Sequence, residues 1–322
     1  MSTAATSTVA SSPPRSRPRS HSLLGDYLIL FKPRVSLMVI ITAAAGYYLG
    51  SLASGISPFQ FSLLKALFGI ALVTTGSSAL NQAVERSTDR RMARTADRPM
   101  AQHRIGLVHG LLVGFLLVCG GTIYLTLATN PLTGLLTLLT AVGYIAIYTP
   151  LKRITTLNTF IGAFPGALPP LIGWTAARGV VEWPAAALFS ILFLWQFPHF
   201  MAIGWLYRAD YAHGGVRLAS TQHPTSEAAR STALQAVFYA LVIIPASLWP
   251  AWLHVTGIPY AVAALVLDGF YLAAAIRFLR IMRCPDDPEN RNLARRLLHV
   301  SVIYLPLLLL AMTLDARGRL LF

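Results

Sequence analysis

Residues 61–84, FSLLKALFGIALVTTGSSALNQAV, form an apolar run long enough to cross a bilayer, and they lead directly into Glu85-Arg86-Ser87-Thr88-Asp89. Asn81, Glu85 and Asp89 are spaced by four. At 3.6 residues per turn they share one helix face, drifting only about 40° per step. Arg94-Thr95 and Arg98-Pro99 follow. Oxygen ligands for a hard cation beside guanidinium forks, at a membrane surface, point to chemistry on the pyrophosphate of a lipid. The plainer reading is a helix end solvated by i,i+4 pairs with Arg90 and its neighbours. Against it, Asn81 and Glu85 lie at the bilayer boundary, where polar groups tend to be functional.

The rest of the chain fits a membrane. It is 55% hydrophobic and only 12% charged, and that charged share is about half the usual one in soluble domains. An ordinary soluble enzyme of 322 residues is excluded. Nine segments are predicted to span, at 35–53, 61–84, 105–128, 131–149, 159–177, 183–206, 231–252, 258–281 and 298–316. The expected fold is therefore an all-α polytopic membrane protein of about nine helices. Residues 1–22, rich in Ser, Pro and Arg, are expected to be a disordered cytoplasmic tail, and 23–322 a single transmembrane domain. The two cysteines, Cys119 and Cys284, are distant and carry no metal or redox spacing.

Charge sets the expected orientation. With the N-terminus cytoplasmic, 22 of the 26 Lys and Arg fall on the cytoplasmic side, a nearly complete positive-inside bias. The same placement, in short loops between apolar runs, argues against nucleic acid as the partner of a chain with net charge +14. The longer loops share that side, so function is expected there. A bacterial inner membrane suits the chain better than a mitochondrial one, because the prolines of the tail oppose an amphipathic transit helix.

Twelve acids allow the ligands to be enumerated. Most sit in loops or on the far side; Glu85, Asp89, Asp210 and the intramembrane Asp268 remain. Magnesium typically needs one or two carboxylates plus substrate phosphates, so Asn81, Glu85, Asp89 and Asp210 form the candidate metal and catalytic set. Asp268 is expected to play a structural, hydrogen-bonded role, and Lys65 to snorkel. Arg94, Arg98, Lys152 and Arg153 are candidates for an anion, although positive-inside placement explains each singly. His199 is either a ligand or proton donor, or a satisfied interhelical histidine.

Three stretches carry a family resemblance. Asn81-Gln82-x-x-Glu85-x-x-x-Asp89-x-x-Met92-x-Arg94-Thr95-x-x-Arg98-Pro99 resembles the first motif of the UbiA-type intramembrane prenyltransferases, in their haem-farnesylating branch. Tyr148-Thr149-x-Leu151-Lys152-Arg153-x-Thr155-x-x-Asn158, with Gly162, Gly166-Ala167-x-Pro169-Pro170 and Gly173-Trp174, is similar to the middle signature. Trp195-Gln196-Phe197-Pro198-His199-Phe200 through Asp210-Tyr211 resembles the third. Glu85, where many relatives have Asp, and the QFPHF segment point to the haem branch.

The resemblance implies a helical bundle around a central cavity open to the cytoplasm and to lipid. It implies farnesyl transfer from farnesyl diphosphate to haem b with addition of water, giving haem O and diphosphate. It also implies Mg2+ held by Asn81, Glu85, Asp89 and Asp210. Arg94, Arg98, Tyr148, Lys152, Arg153, Asn158, His199 and Arg208 become the substrate-binding candidates, and a haem A synthase the downstream partner. Two departures stand out: Asp210 is followed four residues later by Gly214 rather than a second acid, and Gly215-Val216-Arg217-Leu218 lacks a Pro-Met-Leu pattern. The alternatives are prenylation of an aromatic quinone precursor, or a non-catalytic haem or lipid transporter. Ionisable groups clustered at one face, not at the midplane, favour an enzyme.

Overall fold

The computed structural model describes residues 22–316; apart from Ser22, the expected tail lies outside the described residues. Ser22 caps a short helix α1 (Leu23–Phe31) by accepting from the Gly25 amide at 3.1 Å. Lys32 then adopts the left-handed backbone conformation (φ 48°), and Pro33 opens α2 (Pro33–Ala53). The chain continues through α3 (Phe61–Asp89) and α4 (Leu107–Ala128). Next comes α5 (Pro131–Val142), started by the Asn130 side chain on the Thr133 amide. A π-helical stretch, Gly143–Tyr148, joins α5 to the single turn α6 (Thr149–Leu151). The second half holds α7 (Asn158–Arg178), α8 (Trp183–Leu206), the short α9 (Arg208–His213), α10 (Thr225–Trp252), α11 (Ile258–Phe278) and α12 (Asn290–Ala316). Among the described residues there is no strand.

Among the described residues nine helical spans are long and apolar enough to cross a membrane, matching the nine expected. Differences fall at the basic ends. α3 runs on to Asp89, α10 begins at Thr225 instead of 231, and α12 at Asn290 instead of 298. Hydropathy stops where the helix leaves hydrocarbon, whereas backbone hydrogen bonding does not. Outward-facing apolar side chains are the mark of a lipid-facing surface: Leu127 is 81% exposed and Phe270 67%.

Small residues set the helix crossings. A Cβ on Gly46 of α2 would lie 1.9 Å from the Pro170 carbonyl oxygen, and one on Gly173 of α7 1.9 Å from that of Ala43. The α2 and α7 backbones touch, as small residues permit in membranes. Asp268, in mid-helix on α11, accepts from Ser247 (2.6 Å) and Tyr304 (2.6 Å), tying α10, α11 and α12 together. Its expected structural role is met by two hydroxyl donors. Lys65, close to the start of α3, lies over the Phe61 ring at 5.3 Å.

Candidate active site

At the basic end of α3 the expected face is formed. Asn81, Glu85 and Asp89 line one cavity of about 230 Å3, and Asn81 and Asp89 are 0% and 1% exposed. Each meets a partner from another element. Asn81 Oδ1 accepts from Lys32 Nζ (2.7 Å), and its Nδ2 donates to Thr149 Oγ1 (3.1 Å). Glu85 Oε1 accepts from Lys152 Nζ at 2.7 Å. Both Asp89 carboxylate oxygens accept from Arg98 Nη1 at 2.8 Å. Four cations, Lys32, Arg94, Arg98 and Lys152, line the cavity against two carboxylates, Glu85 and Asp89. The site is basic and suited to a polyanion.

Local structure aims these groups. The left-handed turn at Lys32 carries the chain from α1 into α2 beside the cavity. Burial pushes the Lys32 ammonium down to about 7, with Arg98 adding to the shift and Glu85 opposing it. For Lys152, burial acts against the charge, but Tyr148 and Glu85 outweigh it and hold the ammonium above its ordinary value. The π-helical stretch brings Tyr144 and Tyr148 to the cavity wall. Tyr148 packs where α7 has only Gly162, since a Cβ there would come within 2.4 Å of the ring. Lys152 Nζ sits 4.5 Å over the Tyr148 ring. Arg94 lies between Tyr207 and Tyr211, 5.2 and 5.4 Å from their centroids, and donates to the Tyr211 hydroxyl. Asn158 donates to the Thr155 and Arg217 carbonyls, tying the loop after α6 to the loop after α9.

The model of the UbiA prenyltransferase family matches residues 39–302. The chain belongs to the UbiA prenyltransferase family. Among its relatives, the protoheme IX farnesyltransferase of Koribacter versatilis (strain Ellin345) is 46% identical over 299 residues, covering 93% of this chain and 96% of the relative. The protoheme IX farnesyltransferase of Solibacter usitatus (strain Ellin6076) is 39% identical over 301 residues, covering 91% and 99%. Solved structures of the UbiA fold agree in architecture. A digeranylgeranylglyceryl phosphate synthase superposes with TM-score 0.72 at 18% identity, covering 92% of this chain and 99% of that one. A UbiA homologue from Archaeoglobus fulgidus bound to GPP and Mg2+ gives 0.53 at 13%, covering 89% and 99%.

Within this UbiA prenyltransferase, eight of the twelve expected site residues line the cavity: Asn81, Glu85, Asp89, Arg94, Arg98, Tyr148, Lys152 and Asn158. Four do not. Asp210 accepts from the backbone amides of Ala93 (2.6 Å) and Arg94 (3.3 Å) and lines a separate cleft. It braces the loop that carries Arg94 instead of joining Glu85 and Asp89; α9 is a short helix lying across that loop. Among the described residues no group of three or more His, Cys, Asp or Glu converges for a metal. Arg153 is exposed and lines a groove with Val84 and Ile154. His199 stacks on Trp195 (4.9 Å) and pairs through Nδ1 with Ser301 of α12 at 2.8 Å. Arg208 packs over Trp205 and donates to the Pro285 carbonyl and Asp286. Lys32, Tyr144 and Tyr211, none of them an expected site residue, also line the cavity. The pair Lys32-Pro33 at a span start was the signal for the first; a π-helix leaves none.

Proposed function

We propose that this chain catalyses protohaem IX farnesyl transfer, joining the farnesyl group of farnesyl diphosphate to a vinyl group of haem b. Water is added, and haem O and diphosphate are the products. The observation that carries this reading is the 46% identity to the Koribacter versatilis protoheme IX farnesyltransferase over 93% of the chain. The cavity supports it, because it sets acids and cations where a prenyl diphosphate needs both.

Lys32, Arg94, Arg98 and Lys152 bind the diphosphate oxygens. Glu85 and Asp89, one turn apart on α3, suit Mg2+, which takes one or two carboxylates with substrate phosphates; Asn81 has a second lone pair on Oδ1 to offer. Mg2+, when bound, would neutralise charge that builds on the leaving diphosphate. In taking up substrate, Lys152 and Arg98 pass from Glu85 and Asp89 to phosphate, so the carboxylates are freed as the cations find new partners. The farnesyl C1–O bond breaks and diphosphate leaves, the terminal vinyl carbon attacks C1, and water captures the resulting cation at the carbon beside the macrocycle, its surplus proton leaving with diphosphate. Tyr144 and Tyr148, which line the cavity, are the rings placed to stabilise the allylic cation once Lys152 has moved to phosphate. Asp210, holding the Ala93 and Arg94 amides, is a positioning residue for Arg94.

The chain is a multi-pass membrane protein. Its placement in a bacterial inner membrane, with the basic loops and N-terminus in the cytoplasm, is part of this proposal and rests on the positive-inside bias. The product is then released into the same bilayer from which a haem A synthase would draw it. Purified full-length protein supplied with Mg2+, farnesyl diphosphate and haem b should yield haem heavier by one farnesyl group and one hydroxyl. Prenylation of a hydroxybenzoate with none of haem would overturn the acceptor assignment.

A further inference from the structure

Farnesyl transfer to a vinyl group consumes one water. The site must deliver it without letting bulk water quench the allylic cation, a side reaction that a closed site prevents. Buried polar groups are almost always hydrogen-bonded, so a buried hydroxyl without a partner calls for an explanation. Among the described residues, five buried side-chain atoms have no hydrogen-bond partner in the protein, one each on Gln82, Thr122, Ser220, Thr232 and Thr256. Of these residues only Ser220, 5% exposed, lines the cavity.

Local structure aims that hydroxyl. Ser220 is the middle residue of a 3-10 turn, Ala219–Thr221, in the loop that follows α9. Thr221 Oγ1 pins the turn: it accepts from the Leu218 amide at 2.9 Å and has the Val216 and Leu218 carbonyls in reach, each at 3.1 Å. Across from it α8 carries Gly204, where a Cβ would lie 3.0 Å from Ser220 Oγ. The glycine leaves the hydroxyl its space. Phe200 and Met201 of α8 make the same wall apolar. The four cations of the cavity reach elsewhere, to Asn81, Glu85 and Asp89 and to the rings of Tyr148, Tyr207 and Tyr211. A lone hydroxyl on an uncharged wall suits a neutral partner better than diphosphate.

A cleft of about 180 Å3 adjoins this wall, and Thr159, Met201 and Ala219 line both spaces. Gln222, Ser231 and Gln235 also line the cleft, and Gln235 donates to Ser231 Oγ at 2.9 Å. Neutral donors and acceptors around a space of this size suit a few waters.

We propose that Ser220 holds the water that captures the cation, and that the cleft lined by Thr159, Gln222, Ser231 and Gln235 supplies it. The proposal deepens the farnesyl-transfer reading and rests on it. The vinyl π electrons form the new carbon–carbon bond to C1, and diphosphate departs with the C1–O electron pair. The oxygen of the held water then bonds to the carbon beside the macrocycle, and the surplus proton leaves with diphosphate. Without a held water, the same cation loses a proton from the adjacent methylene to diphosphate. The product is then an alkene, lighter than haem O by one water.

The test uses full-length protein with Mg2+, farnesyl diphosphate and haem b, and reads the products by mass spectrometry. Ser220→Ala should raise the ratio of alkene to haem O by about tenfold, the scale of one lost hydrogen bond, while KM for farnesyl diphosphate and inhibition by inorganic diphosphate hold within about twofold. Ser220→Thr keeps the hydroxyl and should restore the parent ratio. Gly204→Ala presses a methyl group on Oγ and should shift the ratio as Ser220→Ala does; it decides the matter where the serine variant does not fold. A parent product ratio in the folded variants would overturn the proposal. So would weaker inhibition by inorganic diphosphate at an unchanged ratio, which would make Ser220 a diphosphate ligand. A wild-type protein that alkylates no haem would refute the transfer reading itself, and the water assignment with it.

Discussion

At the end of α3, Glu85 and Asp89 meet Lys152 and Arg98 across a cavity, whereas in the middle of α11 Asp268 meets only hydroxyls, from Ser247 and Tyr304. All three acids are sheltered in one apolar bundle, and only the partners differ. Hydroxyl donors satisfy a carboxyl permanently and knit helices. Ammonium and guanidinium partners leave the acid exchangeable, since a polyanion can draw the cations away and a metal ion can replace them. On the proposed mechanism, the kind of partner separates a structural acid from a functional one.

The comparison can be broken by mutation. Glu85→Ala or Asp89→Ala should lower kcat by about a thousandfold while the protein still inserts, on the scale of losing a charge-stabilising group at a reacting centre; steady-state assays in detergent check this. Loss of less than tenfold would remove the functional half of the contrast. Asp210→Ala frees the Ala93 and Arg94 amides and loosens Arg94, for an expected loss of about 10- to 100-fold in kcat/KM. The concentration of Mg2+ giving half-maximal rate should stay within about twofold, because ligand loss and positioning loss separate on that readout. A large rise in the Mg2+ requirement would return Asp210 to the metal set.

Asp268→Ala should act in the opposite sense. Leaving buried hydroxyls without their acceptor costs about 1–3 kcal/mol, seen as a lower unfolding temperature, while turnover per folded molecule holds. The smallest effects belong to Arg153→Ala and His199→Ala. Neither side chain lines the cavity, and turnover should stay within about threefold of the parent, the usual range for changes remote from the chemistry. A hundredfold loss at His199 would place it in contact with substrate.

The fold was legible because each span needs about 20 apolar residues, and that length shows in any chain. The site was legible where spacing alone decides a face, as with Asn81, Glu85 and Asp89. It failed where orientation depends on the rest of the bundle. His199 and Phe200 are neighbours, yet at 100° per residue one faces Ser301 of α12 and the other lines the cavity. Asp210 belongs to an acidic motif by sequence, but the fold sets the backbone amides of Ala93 and Arg94 against its carboxylate and places it in a separate cleft. Lys32 reads as one more topogenic charge until the left-handed turn between α1 and α2 places it on Asn81.

In the proposed reaction Glu85 and Asp89 join a divalent ion to the donor's charged head. Manganese, a spectroscopic substitute for magnesium, can be titrated into the full-length protein with inorganic diphosphate present and followed by electron paramagnetic resonance. Wild type should take up Mn2+ only together with diphosphate, and Glu85→Gln/Asp89→Asn should lose that uptake. Equal Mn2+ binding by the double variant would contradict the account.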